Sequence, residues 1–111
     1  FTSPPGDQPI SGSFEIVRLT EDNSVNLNIL TTFEVKSGPD LHILLSPHTT
    51  GEANNGNASS GAINLGLIQS FSGQQVYPIP SGTDLSNYKS VLVHCVEFSH
   101  LFGGGAVNEA P

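Results

Sequence analysis

The chain has 111 residues, with three basic side chains against ten acidic ones and a net charge of −7. That balance repels nucleic-acid phosphates and anionic lipid surfaces, which recruit Lys and Arg. No apolar run approaches the roughly 20 residues a helical membrane span needs, so neither nucleic-acid binding nor membrane insertion is expected. With 36% hydrophobic and 12% charged residues, the composition suits one folded domain finished with neutral polar side chains.

The first residues, "FTSPPGDQPIS", are rich in Pro, Gly and Ser and read as an arm or linker over 1–11, leaving 12–111 as the domain. The chain opens with neither Met nor a hydrophobic leader, as a start trimmed by processing or by choice of fragment does. "GSFEIVRL", "SVNLNIL" and "TTFEVK" then alternate apolar and polar residues with a period of two, the mark of half-buried strands. "EDNS" between the first two has turn composition. "SGPD" breaks the pattern, because Pro39 cannot continue a ladder and Gly38 frees the backbone. "LHILLS" resumes it.

Residues 46–61, "SPHTTGEANNGNASSG", form a long polar loop that contains the glycosylation-type triplet Asn57-Ala58-Ser59. "AINLGLI" and "GQQVYPIP" are further short strands, and Pro78 and Pro80 place the second at a sheet edge or a strand end. Asp84 is positioned to cap a single helical turn. "SVLVHCVEF" predicts a long strand, and "HLFGGGAVN" a final one whose three glycines read as a turn or bulge. No segment has sustained helical periodicity. The expected fold is therefore all-β: one antiparallel sandwich or partly closed barrel of seven to eight short strands.

The combination of "GSFEIV", "FEVKSGPDLHILLS", "LGLIQSFSGQQVYPIP" and "LSNYKSVLVHCVEFSHLFGGGAV" resembles the electron-transfer DM13 (DM-thirteen) domain, over roughly residues 12–107. The resemblance implies a small extracytoplasmic β domain, whether periplasmic, secreted or at the cell surface. It also implies that one cysteine is the redox centre, as a bare thiol or as a ligand to a prosthetic group such as haem. Animal members stand beside haem-binding DOMON and b-type cytochrome domains. Cys95 is the matching cysteine, and His42 closes the Gly-Pro-Asp-Leu-His motif. Two departures stand out: His94 precedes the cysteine where an aromatic residue, commonly Trp, is the family's pattern, and loop 46–61 reads as an insertion.

The residues themselves keep several chemistries open. A lone cysteine cannot form an internal disulfide. Outside the cytosol it implies a reactive thiol, a ligand or an intermolecular partner, unless it is simply a small apolar core residue. Reactivity requires the thiolate, and Glu97, two residues along the strand, falls on the nominal face of Cys95 and opposes it. His94, next in sequence, points to the other face. His42 can reach Cys95 by cross-strand pairing, and His100 by folding back past a bend. His48 sits in the polar loop.

Cys95 with His42, His94 or His100 is thus the candidate ligand set for zinc, cadmium, copper or haem iron. Phe98, Leu101 and Phe102 would line a haem pocket if they are not ordinary core. Three functions follow. The first is a redox or electron-transfer accessory domain acting through Cys95 with a redox partner protein. The second is a metal-binding protein without turnover, and the third a non-catalytic binding or adhesion module presenting loop 46–61.

Overall fold

The computed structural model describes residues 1, 10–19, 21–22 and 24–107. Among them nine strands run in chain order: β1 (Ile10–Ser11), β2 (Phe14–Arg18), β3 (Val25–Ile29), β4 (Glu34–Val35), β5 (Leu41–Ser46), β6 (Ile63–Leu67), β7 (Gln75–Ile79), β8 (Ser90–Cys95) and β9 (His100–Ala106). They form three antiparallel sheets, ordered β1-β4, β2-β3-β7 and β6-β5-β8-β9, and none closes into a barrel. The all-β expectation holds. The strand beyond the expected seven or eight is the two-residue β1, whose partner β4 falls within the expected "TTFEVK". Of the expected arm, residues 2–9 lie outside the described residues. Ile10 and Ser11 belong to the fold, pairing with Val35 and Glu34.

Alternation decides which side chains face inward. Leu27 and Ile29 of β3 and Tyr77 and Ile79 of β7 meet Leu41, Ile43 and Leu45 of β5 and Val91, Val93 and Cys95 of β8 in one buried cluster. Ile10, Phe33 and Val35 complete it, so the sheets share a single core. Pro78 lies in β7, an edge strand, where its missing N–H breaks no ladder bond. Asp84 caps a short 3-10 turn over Leu85–Asn87, its side chain accepting from the Ser86 amide.

The central strands are buried on both faces: all six residues of β8 and five of six in β5. Loop 46–62 is the reason. It folds back over the outer face of the four-stranded sheet, where Ala58 is packed with Leu44, Leu92 and Leu101, and Ala53 and Ala62 pack against them. The loop braces itself through its own polar side chains. Asn54 Oδ1 accepts from the amides of Gly56 and Asn57, and Glu52 Oε1 accepts from the Thr49 amide. Asn55 Oδ1 accepts from the Leu101 amide at 2.8 Å, which ties the cover to β9. Asn57 of the glycosylation-type triplet donates through Nδ2 to the Glu52 carbonyl, 2.9 Å.

The three glycines after Phe102 are paired strand, not themselves the expected turn or bulge. Gly103, Gly104 and Gly105 pair with Val93, Leu92 and Val91, and the irregularity falls earlier, between Val93 and His94. A Cβ on Gly104 would stand 2.6 Å from Leu92 Cδ2 and 2.9 Å from the Val91 carbonyl oxygen. A Cβ on Gly105 would stand 2.6 Å from Phe14 Cε1. Close approach, not turning, demands glycine at these two positions.

Candidate functional site: the buried thiol and its surroundings

Cys95 is the last residue of β8, and its Cα pairs with Leu41 on one side and His100 on the other. The side chain points into the core cluster and is 2% exposed. Its Sγ–H donates to the Pro39 carbonyl at 3.0 Å.

Residues 38–42 build this wall. Asp40 adopts a left-handed backbone, φ 52°, a conformation Asp tolerates better than most residues. The chain thus turns so that the Pro39 carbonyl meets the sulfur, while the Asp40 carbonyl accepts from the Val96 amide at 3.1 Å. Gly38 lies flat against Phe102, where a Cβ would fall 2.8 Å from the ring's Cζ. Leu41 fills the core beside the sulfur.

His42 lies on the other face of the sheet. Its Cα partner in β8 is His94, so the expected approach of His42 to Cys95 does not occur. Its Nε2 meets Asp40 Oδ1 at 2.9 Å and its Nδ1 meets Asn64 Oδ1 at 3.0 Å. Asn64 Oδ1 also accepts from the Gly66 amide, which identifies that atom as the oxygen. The ring thus stands between a carboxylate oxygen and an amide oxygen, which fixes its orientation on the outer face.

His94 is 1% exposed, and its Nδ1 has no hydrogen-bond partner among the described residues. Burial pushes its pKa down, and the positive charge of His100 and His42 adds to the effect. A neutral ring follows. His100 shares the face of Cys95 and packs edge-on against Phe102, ring centroids 5.2 Å apart. His48 lies at the other end of the sheet, its backbone carbonyl accepting from Ser90 Oγ.

The histidines are therefore divided by the sheet, with His42 and His94 outside and His100 inside with Cys95. Among the described residues no group of three or more His, Cys, Asp or Glu could hold a metal ion. The haem lining also disperses. Phe98 is exposed in the β8–β9 turn, Leu101 belongs to the outer cluster, and Phe102 packs on the inner core. A cleft of about 340 Å³ lies elsewhere, between Arg18, Val25, Ile79 and Leu85. The residues around the sulfur do not fit a resident haem or metal. Among the described residues its hydrogen bond goes to a backbone carbonyl, and of the histidines at this end of the sheet His100 alone shares its face.

Glu97 does not share the face of Cys95. The strand stops at Cys95, and the turn over 96–99 carries Glu97 into solvent. The carboxylate expected to oppose the thiolate is not held against it.

Two features of the site were invisible to side-chain reasoning. The Pro39 carbonyl is a backbone group, and its aim depends on the left-handed turn at Asp40. Asn64 reaches His42 because β6 carries an irregularity between its pairings with His42 and Leu44. The presence of Gly66 in an alternating run was its only signal.

No curated protein and no solved structure matches the chain. The family described as electron transfer DM13 matches residues 4–106, nearly its full length. The Gly-Pro-Asp-Leu-His segment that supports the resemblance is the one that encloses the sulfur. The chain belongs to the electron transfer DM13 family.

Proposed function

We propose that this chain is an exported redox or electron-transfer accessory domain in which Cys95 acts as a thiol. The observation that carries it is the interlock of Gly38–His42 with the end of β8: the family segment converges on the one sulfur in the chain. Family membership supports electron transfer as the general role. Export rests on the family resemblance and on the low charged fraction.

The chemistry that suits a bare thiol is exchange with a partner's disulfide. Cys95 gives up its proton, and the thiolate attacks one sulfur of the partner disulfide. That S–S bond breaks as the mixed disulfide forms, and the departing partner thiolate takes a proton. The Pro39 carbonyl opposes the first step, because it accepts from S–H and would face a thiolate unfavourably. Exchange therefore requires the 38–40 turn to swing away. The resting thiol is protected, and access is controlled by a turn rather than by a permanent channel.

The test is Cys95→Ser, read as disulfide-exchange turnover with a model dithiol couple. Loss of turnover is expected, and turnover equal to the parent protein would overturn the proposal. An absorption spectrum and elemental analysis of the purified protein accompany it. A stoichiometric haem or metal would replace thiol exchange with ligand chemistry. The metal-binding and adhesion readings gain no observation of their own. The former has no convergent donor set among the described residues, and the latter's loop 46–61 is folded down on the sheet.

A further inference from the structure

A chemically fragile residue helps to hold loop 46–62 on the sheet. Asn55 Oδ1 accepts from the Leu101 amide at 2.8 Å, a bond between residues 46 apart in sequence. Leu101 is the Cα partner of His94 in β8, and it packs with Leu44, Leu92 and Ala58 beneath the loop. Asn55 is also the one asparagine of the chain that is followed by glycine. Asparagine is thermolabile, and most so before glycine. No side chain shields the glycine nitrogen, and the glycine backbone bends most freely. Asn26 and Asn28, by contrast, precede Leu27 and Ile29 inside the paired strand β3.

The chemistry needs water alone. The Gly56 amide loses its proton, and its nitrogen attacks Asn55 Cγ. The bond from Cγ to the side-chain nitrogen breaks, ammonia leaves and a succinimide ring remains. Water then opens the ring at either carbonyl. One opening gives aspartate. The other gives isoaspartate, whose main chain runs through the side-chain carbons and is one carbon longer. Either product adds a negative charge to a chain already at −7.

Asn55 and Gly56 are both exposed, so water and hydroxide reach them. Two bonds oppose ring closure. Asn55 is tied to Leu101, and the Gly56 amide donates to Asn54 Oδ1 at 2.9 Å. We propose that Asn55–Gly56 is a self-modification site: deamidation to isoaspartate cuts the tie to β9 and releases the loop from the outer face of the four-stranded sheet, and Asn54 is the guard that slows it. The longer main chain carries the acceptor away from the Leu101 amide. Release uncovers Leu44, Leu92 and Leu101, and it runs in one direction because the ammonia is lost.

The test holds the purified protein in mildly alkaline buffer and follows each asparagine-containing peptide by the mass change of amide-to-acid exchange. Labelling by isoaspartyl methyltransferase identifies the product. Conversion at position 55 ahead of the other asparagines is expected. Gly56→Ala should slow it several-fold. Its Cβ would stand 3.4 Å from Asn54 Oδ1, so the fold has room for a methyl that shields the nitrogen. Asn54→Ala should speed conversion about fivefold, the population weight of one ordinary hydrogen bond. Hydrogen exchange reads the consequence. The Leu101 amide should lose protection in the isoaspartate fraction while the amides of β3 keep theirs. It should lose protection equally in Asn55→Ala, which removes the acceptor without any deamidation. No conversion at position 55, conversion no faster there than elsewhere, or unchanged rates in both loop variants would overturn the proposal. So would a Leu101 amide as protected after conversion, or in Asn55→Ala, as in the parent.

Discussion

If the 38–40 turn opens on its own, Cys95 should react with alkylating reagents far faster than global unfolding allows. Opening breaks two named bonds, Sγ–H to the Pro39 carbonyl and the Val96 amide to the Asp40 carbonyl. At a net of about 1 kcal/mol each, with some core exposure added, the opening costs about 2–3 kcal/mol. That corresponds to a protection of about 30- to 150-fold relative to a free thiol. Reaction through global unfolding would instead meet at least about 5 kcal/mol, a protection of several thousandfold or more. The perturbation is Gly38→Ala, whose Cβ would sit 2.8 Å from Phe102 Cζ and 3.1 Å from Cε2. The ring edge can yield in part, so the strain is about 1 kcal/mol, and alkylation should accelerate about fivefold. The assay is the iodoacetamide rate against urea. Local opening gives a rate nearly flat at low urea, because little surface is exposed. Global opening gives the full unfolding slope of about 1–3 kcal/mol per molar urea. A parent protein protected several thousandfold, with that full slope from zero urea, would refute a turn-controlled thiol.

Three further outcomes follow from the packing. Tyr77→Phe removes a hydroxyl that accepts from the Gln69 amide and donates to Gln75 Oε1. It should cost about 1–3 kcal/mol in urea-derived stability, and a loss below a few tenths would show that the network is dispensable. Gly104→Ala drives a methyl toward the Val91 carbonyl and Leu92, and about 1–3 kcal/mol of destabilisation is expected. A variant as stable as its parent in thermal melts would contradict the close approach. His94 has its pKa lowered by burial first and then by the positive charge of His100 and His42. Below the usual value of 6.5 the unfolded chain takes up a proton that the folded chain refuses, so stability falls as pH drops from there toward the folded value. The slope is at most about 1.4 kcal/mol per pH unit. His94→Gln should flatten stability over that window, and parallel curves for variant and parent would exclude His94 as the source.

The strands were legible because alternation is a local property. Leu27 and Ile29, or Leu41, Ile43 and Leu45, declare a buried face without knowledge of what covers it. Even Asp84 announced its turn. What covered the second face of β5 and β8 was not legible. Loop 46–62 is polar by composition and touches the sheet through small residues such as Ala58, which carry almost no pattern. The Gly103–Gly105 run misled for a related reason. Glycine marks both turns and close approaches, and only the position of Phe14 and of the Val91 backbone tells them apart. Within the site, Cys95 was identifiable as the single thiol, and the opposition of His94 to it followed from strand geometry. The cross-strand neighbour was not identifiable, since a register shift of one residue exchanges Leu41 for His42.

That one-residue register has a chemical consequence. With Leu41 opposite Cys95 and His42 opposite His94, the sheet separates the sulfur from two of its candidate imidazoles. A shift by one residue would have set His42 across from Cys95. The register is held by β5's inward row of Leu41, Ile43 and Leu45, which would turn outward if the strand slipped. The same hydrophobic row that stabilises the core therefore keeps the outer histidines from the thiol. It leaves a backbone carbonyl as the sulfur's hydrogen-bond partner, so the proposed thiol chemistry is to be tested at the turn carrying that carbonyl.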